Sequence, residues 1–223
     1  MTIWELIEAG EFEKASQLAS DEYRDSGDIF PLFNKRIALM NLKKYDEVIS
    51  LSKYILNETN FEGSTDYVYC AIAYWLLGRY SDAIDNWTKA WSCKYQDASG
   101  GVSVLVYLYF VSICTRDSAL NKRTLKKLAK INNVNWPAPI SLYLLNKIDR
   151  NQMLSCVDTV PILRERQMCQ ADFASAIKSL ENNNDELYKF YLEKAIETPQ
   201  RKYLEEMLYL AKGELERIDN RVS

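Results

Sequence analysis

A turn that recurs in one register constrains this chain more than any other feature. Gly10 with Phe12, then Tyr45, then Gly78 with Tyr80 mark the same point of three similar segments. Tyr45 lies 33 residues after Phe12 and 35 before Tyr80, so the chain is built by repeating one unit. The clearest unit is Ser64 to Lys94, STDYVYCAIAYWLLGRYSDAIDNWTKAWSCK. It predicts a helix from Thr65 to Leu77, a break at Gly78, and a second helix opening at Ser81. The Ser81 hydroxyl is placed to cap that helix, and Asp82 stands against the positive end of its dipole. Small side chains at Ala71, Ala83 and Ala90 let the two helices approach. Tyr67, Tyr74, Tyr80 and Trp87 fill the space between them.

Other segments fall into the same frame. Ile3 to Ala9 and Glu11 to Tyr23 form a first unit with a shortened opening helix. Phe30 to Leu42, with Pro31 tolerated in its first turn, and Val48 to Leu56 form the next. Val102 to Thr115, VSVLVYLYFVSICT, is apolar on every side, and in isolation its Val, Tyr and Phe suit a strand. Its length and its place in the repeat predict a buried helix instead. Ser118 to Ile131 is its partner. Leu120, Leu125, Leu128 and Ala129 lie on one side, and a basic stripe of Lys122, Arg123, Lys126, Lys127 and Lys130 on the other. That stripe has no interleaved aromatics, so it reads as a solvated face or a contact for an acidic protein rather than a nucleic-acid site.

The segment NNVNWPAP, 132–139, breaks the pattern and divides residues 1–131 from 132–223, as two lobes or as a bend in one continuous stack. Short helices at Ile140–Lys147 and Gln152–Val157 follow, then a longer one from Pro161 to Glu181. Asn182 to Asn184 is a turn with Asp185 as the N-cap of Leu187–Thr198. A last amphipathic helix spans Gln200 to Arg221. Tyr203, Leu204, Met207, Leu208, Leu210, Ala211, Leu215 and Ile218 are its inward face, and Glu205, Glu206, Glu214 and Glu216 its outward face.

Seven glycines and five prolines are few turn formers for 223 residues, which favours long helices with short connections. The net charge of −3 offers little to a phosphate backbone, so no nucleic-acid partner is expected. The five cysteines, at 70, 93, 114, 156 and 169, are odd in number and contain no CxxC pair. They read as buried free thiols of a reducing compartment. The sequence has no histidine, which removes Ser–His and Cys–His pairs and the commonest metal ligand. Carboxylates fall with Lys or Arg four residues away, as surface pairs on helices do. No enzyme activity, no cofactor and no metal are expected. No apolar run reaches the ~20 residues of a membrane span, and the opening residues MTIWELIEAGEFEK lack a basic-then-apolar leader, so a cytoplasmic protein is expected.

Tyr67, Ala71, Tyr74, Gly78, Tyr80, Ala83, Trp87 and Ala90 together resemble the tetratricopeptide repeat, departing from it at Tyr95, where the family often has proline. Gly10, Phe12 and Ala15 match Gly78, Tyr80 and Ala83. Ala176 and Ala195 match Ala71 and Ala90 three periods later. The resemblance implies an all-α, TPR-like right-handed α-solenoid of about six antiparallel helix pairs plus a C-terminal capping helix. It also implies that first helices line a concave face. On that face stand Phe30, Phe33, Asn34, Ile37, Met40 and Asn41, and Thr65, Val68, Tyr69, Ile72, Trp75 and Leu76. The candidate partner-binding residues are Phe30, Phe33, Asn34, Ile37, Asn41, Tyr69, Ile72 and Trp75. So apolar a face either receives a helix of another protein or is filled by this chain, through tight curvature or by the 161–181 helix crossing it.

The stretches NWPAPISLYLL and RQMCQADFASAI resemble bacterial repeat proteins encoded beside toxins. That resemblance implies an immunity protein that neutralises a toxin by stoichiometric binding. Residues 1–30, with a net charge of −6, would then be a contact for the toxin. The alternatives are a secretion chaperone or assembly adaptor holding an amphipathic helix of its client, and a structural subunit. The oligomeric state is open.

Overall fold

The computed structural model describes residues 1–58, 63–94, 96–197 and 205–222, which form thirteen helices and no strand. Twelve of the helices come as six turn-linked pairs: α1 (Ile3–Glu8) with α2 (Phe12–Ser26), α3 (Phe30–Asn41) with α4 (Tyr45–Glu58), and α5 (Thr65–Leu76) with α6 (Tyr80–Trp91). Then come α7 (Val102–Cys114) with α8 (Ser118–Leu128), α9 (Ala138–Leu144) with α10 (Arg150–Ser155), and α11 (Pro161–Glu181) with α12 (Asp185–Ile196). The last, α13, is Glu206–Val222.

One turn motif closes all six pairs. In the α5–α6 turn Gly78 N–H donates to the Trp75 carbonyl and Arg79 N–H to the Tyr74 carbonyl, which satisfies the free acceptors at the end of α5. The same two bonds recur at Gly10, Lys43, Arg116, Asn146 and Asn183. These six positions have φ between 55° and 75° and are spaced by 30 to 38 residues. Four of them are not glycine. Asn reaches this left-handed region at modest cost; Lys43 and Arg116 accept strain there.

This turn also decides where the next helix starts. Because the chain is already closed at Arg79, α6 begins at Tyr80 with Arg79 as its N-cap, not at Ser81. Likewise Asn184, not Asp185, caps α12, its side chain accepting from Leu187 N–H. Asp117 and Asp149 cap α8 and α10 in the same way.

The segment 102–114 is a helix, and all of Val104 to Ser112 is buried because other helices cover it on several sides. An aromatic column crosses the main core. Trp75 meets Tyr80 at 4.5 Å, Phe110 at 5.4 Å and Trp87 at 6.2 Å between ring centroids, and Phe110 meets Phe173 at 5.4 Å. A smaller, separate core holds the first pair: Ile3, Leu6, Ile7, Ala15 and Ala19 pack with Ile37 and Ala38 of α3.

The last helix does not simply end the row. It returns along α5 and α3, running in their direction. The Tyr209 hydroxyl accepts from Asn41 Nδ2 at 3.0 Å, Glu214 accepts from Trp75 Nε1 at 3.1 Å, and Lys43 reaches Glu216 at 2.7 Å. Gly213 eases the approach, since a Cβ there would stand 2.0 Å from Leu76 Cδ2 and push that side chain aside. Enclosure reverses the outward assignment of two carboxylates: Glu205 and Glu214 are each 1% exposed. Of the five free cysteines, Cys70 and Cys169 are buried, but Cys156 is exposed at the end of a one-and-a-half-turn helix. Tyr95, Tyr203, Leu204 and the expected helix start at Gln200 lie outside the described residues. Among the described residues no helix is long and apolar enough to cross a membrane.

Candidate functional site

The eight residues expected on the concave wall divide by depth. Tyr69, Ile72 and Trp75 on α5 are buried, with α13 laid against α5, and Ile37 on α3 is buried in the core of the first pair. Asn41 is half-buried and occupied by the Tyr209 hydroxyl. Phe33 and Asn34 are half-buried, and Phe30 is 68% exposed. So the chain covers the α5 part of this expected face with α13 and the Ile37 part with the first pair, while the beginning of α3 remains at the surface. The expected alternative occupant, the 161–181 helix, packs against α7 and α13 instead. Leu208, Leu210 and Ala211 show why α13 belongs there: its apolar stripe and that of α5 hide each other.

At the end of the molecule where α3, α5, α7 and α13 begin lies a polar cavity of about 270 Å³. Ser64, Thr65 and Val68 line it from α5, Asp97, Ser103 and Tyr107 from around the start of α7, Arg166 and Gln170 from α11, and Glu205 and Glu206 from the start of α13. Three of these helices begin at it, and a carboxylate answers the free N–H groups at the start of α7. Asp97 accepts from the N–H groups of Ser99 and Gly101 at 2.9 Å each and of Ser103 at 2.6 Å. The Ser64 side chain makes no capping bond.

Glu205 is held by Arg166 Nε at 2.5 Å and by the Gln170 amide, which also accepts from Trp136 Nε1. Arg36 pairs with Asp66 and lies over the Tyr69 ring at 4.1 Å and the Phe33 ring at 5.6 Å. Burial pushes Glu205 up to about 7, with Glu206 beside it adding to the rise and Arg166 opposing it. Glu206 is raised as well, first by burial. Burial also raises the Tyr107 phenol, and the two glutamates reinforce it.

Large apolar side chains stand in water around this end. The α11 helix carries Arg166 and Gln170 into the cavity. One turn earlier the same face presents Ile162 and Leu163, 41% and 39% exposed, preceded by Val160. Phe30 and Phe33 begin α3 and contact each other edge to face at 5.7 Å. At the opposite end a groove of about 530 Å³ lies between the α5–α6 turn and α13, lined by Tyr45, Leu77, Tyr80 and Arg217 among others.

The polar cavity was missed by sequence reasoning because its residues come from four distant segments and its glutamates sit in an amphipathic pattern that reads as surface. The one legible signal was a Glu205–Glu206 pair directly before an apolar run. Lys122, Arg123, Lys126 and Lys130 are exposed, whereas Lys127 packs over Trp91 at 4.7 Å. Among the described residues no group of three His, Cys, Asp or Glu side chains is arranged to hold a metal ion. No protein-family model and no curated protein matches this sequence.

Proposed function

We propose that this chain is a protein-binding module, a TPR-like right-handed solenoid of six helix pairs with a last helix laid along its concave wall. One turn geometry repeated at 30 to 38 residues supports the repeat reading. The observation that carries the binding reading is the set of large apolar side chains left in water around one end: Phe30 on α3, and Val160, Ile162 and Leu163 at the start of α11. With the α5 face covered, a partner docks on the start of α11, where Val160, Ile162 and Leu163 stand close together in sequence and in water, rather than in the groove.

The narrower reading is an immunity protein that neutralises a toxin by covering it. The first pair supports it, with Glu5, Glu13, Glu22, Asp25 and Asp28 all exposed, a surface suited to steering a basic partner. A chaperone that holds a client helix in the concave groove would first have to displace α13 from its buried bonds. The test is affinity capture from the source cell with quantitative mass spectrometry, comparing the wild type with Ile162→Glu/Leu163→Glu. A stoichiometric partner is retained by the wild type and lost by the variant at unchanged helicity. Equal recovery by both would overturn docking on α11. Added salt slows association if the acidic pair steers it.

A further inference from the structure

We propose that the cavity at the starts of α5, α7 and α13 is a cation site, shaped for the ammonium or guanidinium end of a side chain supplied by the docked protein. The inference deepens the protein-binding reading and rests on it for the source of the cation.

The charges are unevenly matched. Among the described residues three carboxylates line the cavity, from Asp97, Glu205 and Glu206, against one cation, Arg166. Asp97 is committed to three backbone N–H groups, and Glu205 to Arg166 and Gln170. Glu206 has no ion-pair partner among the described residues. The nearest other cation in the field it feels is Arg36, which is already bound to Asp66. Tyr107 supplies a second, independent observation. Its side chain is 1% exposed and borders the cavity, stacked on Trp87 at 5.8 Å. Its hydroxyl makes no hydrogen bond among the described residues. A guest inside the cavity would give it a partner. The hydroxyl accepts one N–H of the cation, and Glu206 supplies the charge. The space fits, because a water needs about 30 Å³ of liquid volume and the cavity holds several. The exposed methylene-covering surface is at hand too, since Ile162 and Leu163 flank Arg166 one turn outward.

Burial raises both glutamates, Glu205 to about 7, so the empty site is partly protonated near neutral pH. The groups that set this are Glu205 and Glu206 on α13, Arg166 on α11, Arg36 on α3, Tyr69 on α5, Tyr107 on α7 and Asp97 before it. An incoming cation takes that proton's place, so binding releases part of a proton and tightens as pH rises from about 6 to 8.

Isothermal titration calorimetry on the full chain tests this, with agmatine and Nα-acetyl-lysine amide as side-chain mimics and spermidine, acetate and phosphate as comparisons. At pH 7, in two buffers of different ionisation enthalpy, the mimics bind one to one with a Kd below about 1 mM and release protons. Glu206→Gln weakens binding at least tenfold, and Tyr107→Phe weakens it a few-fold. Proton release by the wild type requires no variant, so a misfolded substitution does not leave the question open. Absence of binding by both mimics, uptake of protons, or preferential binding of acetate or phosphate overturns the cation site. Spermidine binding far tighter than both mimics overturns the side-chain source. Ile162→Glu/Leu163→Glu retains agmatine binding. If that variant also retains the captured partner, docking on α11 fails while the cation site stands.

Discussion

The first pair and the last helix are fastened to the same body by different physics. The α1–α2 pair joins α3 through a small apolar core of Ile3, Leu6, Ile7, Ala15 and Ala19, and its ion pairs, such as Lys14–Glu11 and Arg24–Asp21, stay in water. The last helix joins α3, α5, α11 and α12 through apolar residues too, but with carboxylates sealed inside the seam. Glu214 accepts from Trp75 Nε1 of α5, the Tyr188 hydroxyl of α12 and Arg217 of its own helix, and Glu205 from Arg166 and Gln170 of α11. An apolar seam tolerates sliding by a fraction of a turn. A buried carboxylate does not, because every donor it loses leaves an uncompensated charge. The acidic end is held by area, and α13 is held in register.

Truncating Trp75 tests the contrast most severely. Trp75→Ala should lower unfolding free energy by about 3–5 kcal/mol, since it empties the aromatic column and strands Glu214 at once. Chemical denaturation reads this, and a loss below about 1 kcal/mol would mean α13 is not seated on Trp75. Glu214→Ala follows at about 3 kcal/mol, from three donors deprived of their acceptor in a closed site. Should it prove neutral, the register argument is lost.

At the other end Ile7→Ala should cost about 2 kcal/mol, and only locally. Hydrogen exchange should quicken in α1 and α2 while α5 and α13 keep their protection. A uniform loss would merge the two regions into one cooperative unit.

The smallest effect is a pH dependence confined to the α13 seam. Glu205 rises on folding from its ordinary value to about 7, so the folded state binds the proton more tightly than the unfolded one. Stability is therefore least above pH 7 and grows as pH falls through 7 towards 5. From pH 8 to 6 the gain should be about 1–2 kcal/mol, and Glu205→Gln should remove it. A melting temperature that falls over this interval in the wild type would refute the sign.

Much of this molecule was legible locally. The hairpin at 65–91 followed from Gly78, small residues at the crossing and aromatics around it. The 102–114 segment was correctly a helix because its length and position outweighed its strand-like composition. Of the turns beyond the third unit, Arg116 and Asn183 fall between the expected helices, whereas Asn146 falls inside the expected Ile140–Lys147 helix, since a lone asparagine in left-handed backbone leaves little mark in the sequence. The helix starts at Tyr80 and Asp185 were displaced from Ser81 and Leu187 for one reason: the turn closes earlier than a capping side chain suggests.

What the sequence by itself determined is the repeating helical pair, because small and aromatic residues at 3.6-residue spacing act between near neighbours in the chain. What only the tertiary structure decided is which apolar stripes meet. Glu205 and Glu214 look like solvent-facing residues of an amphipathic helix until Arg166, Trp75 and Tyr188 surround them from segments 26 to 139 residues away. Burial of a charge depends on distant partners, and no local pattern carries that information.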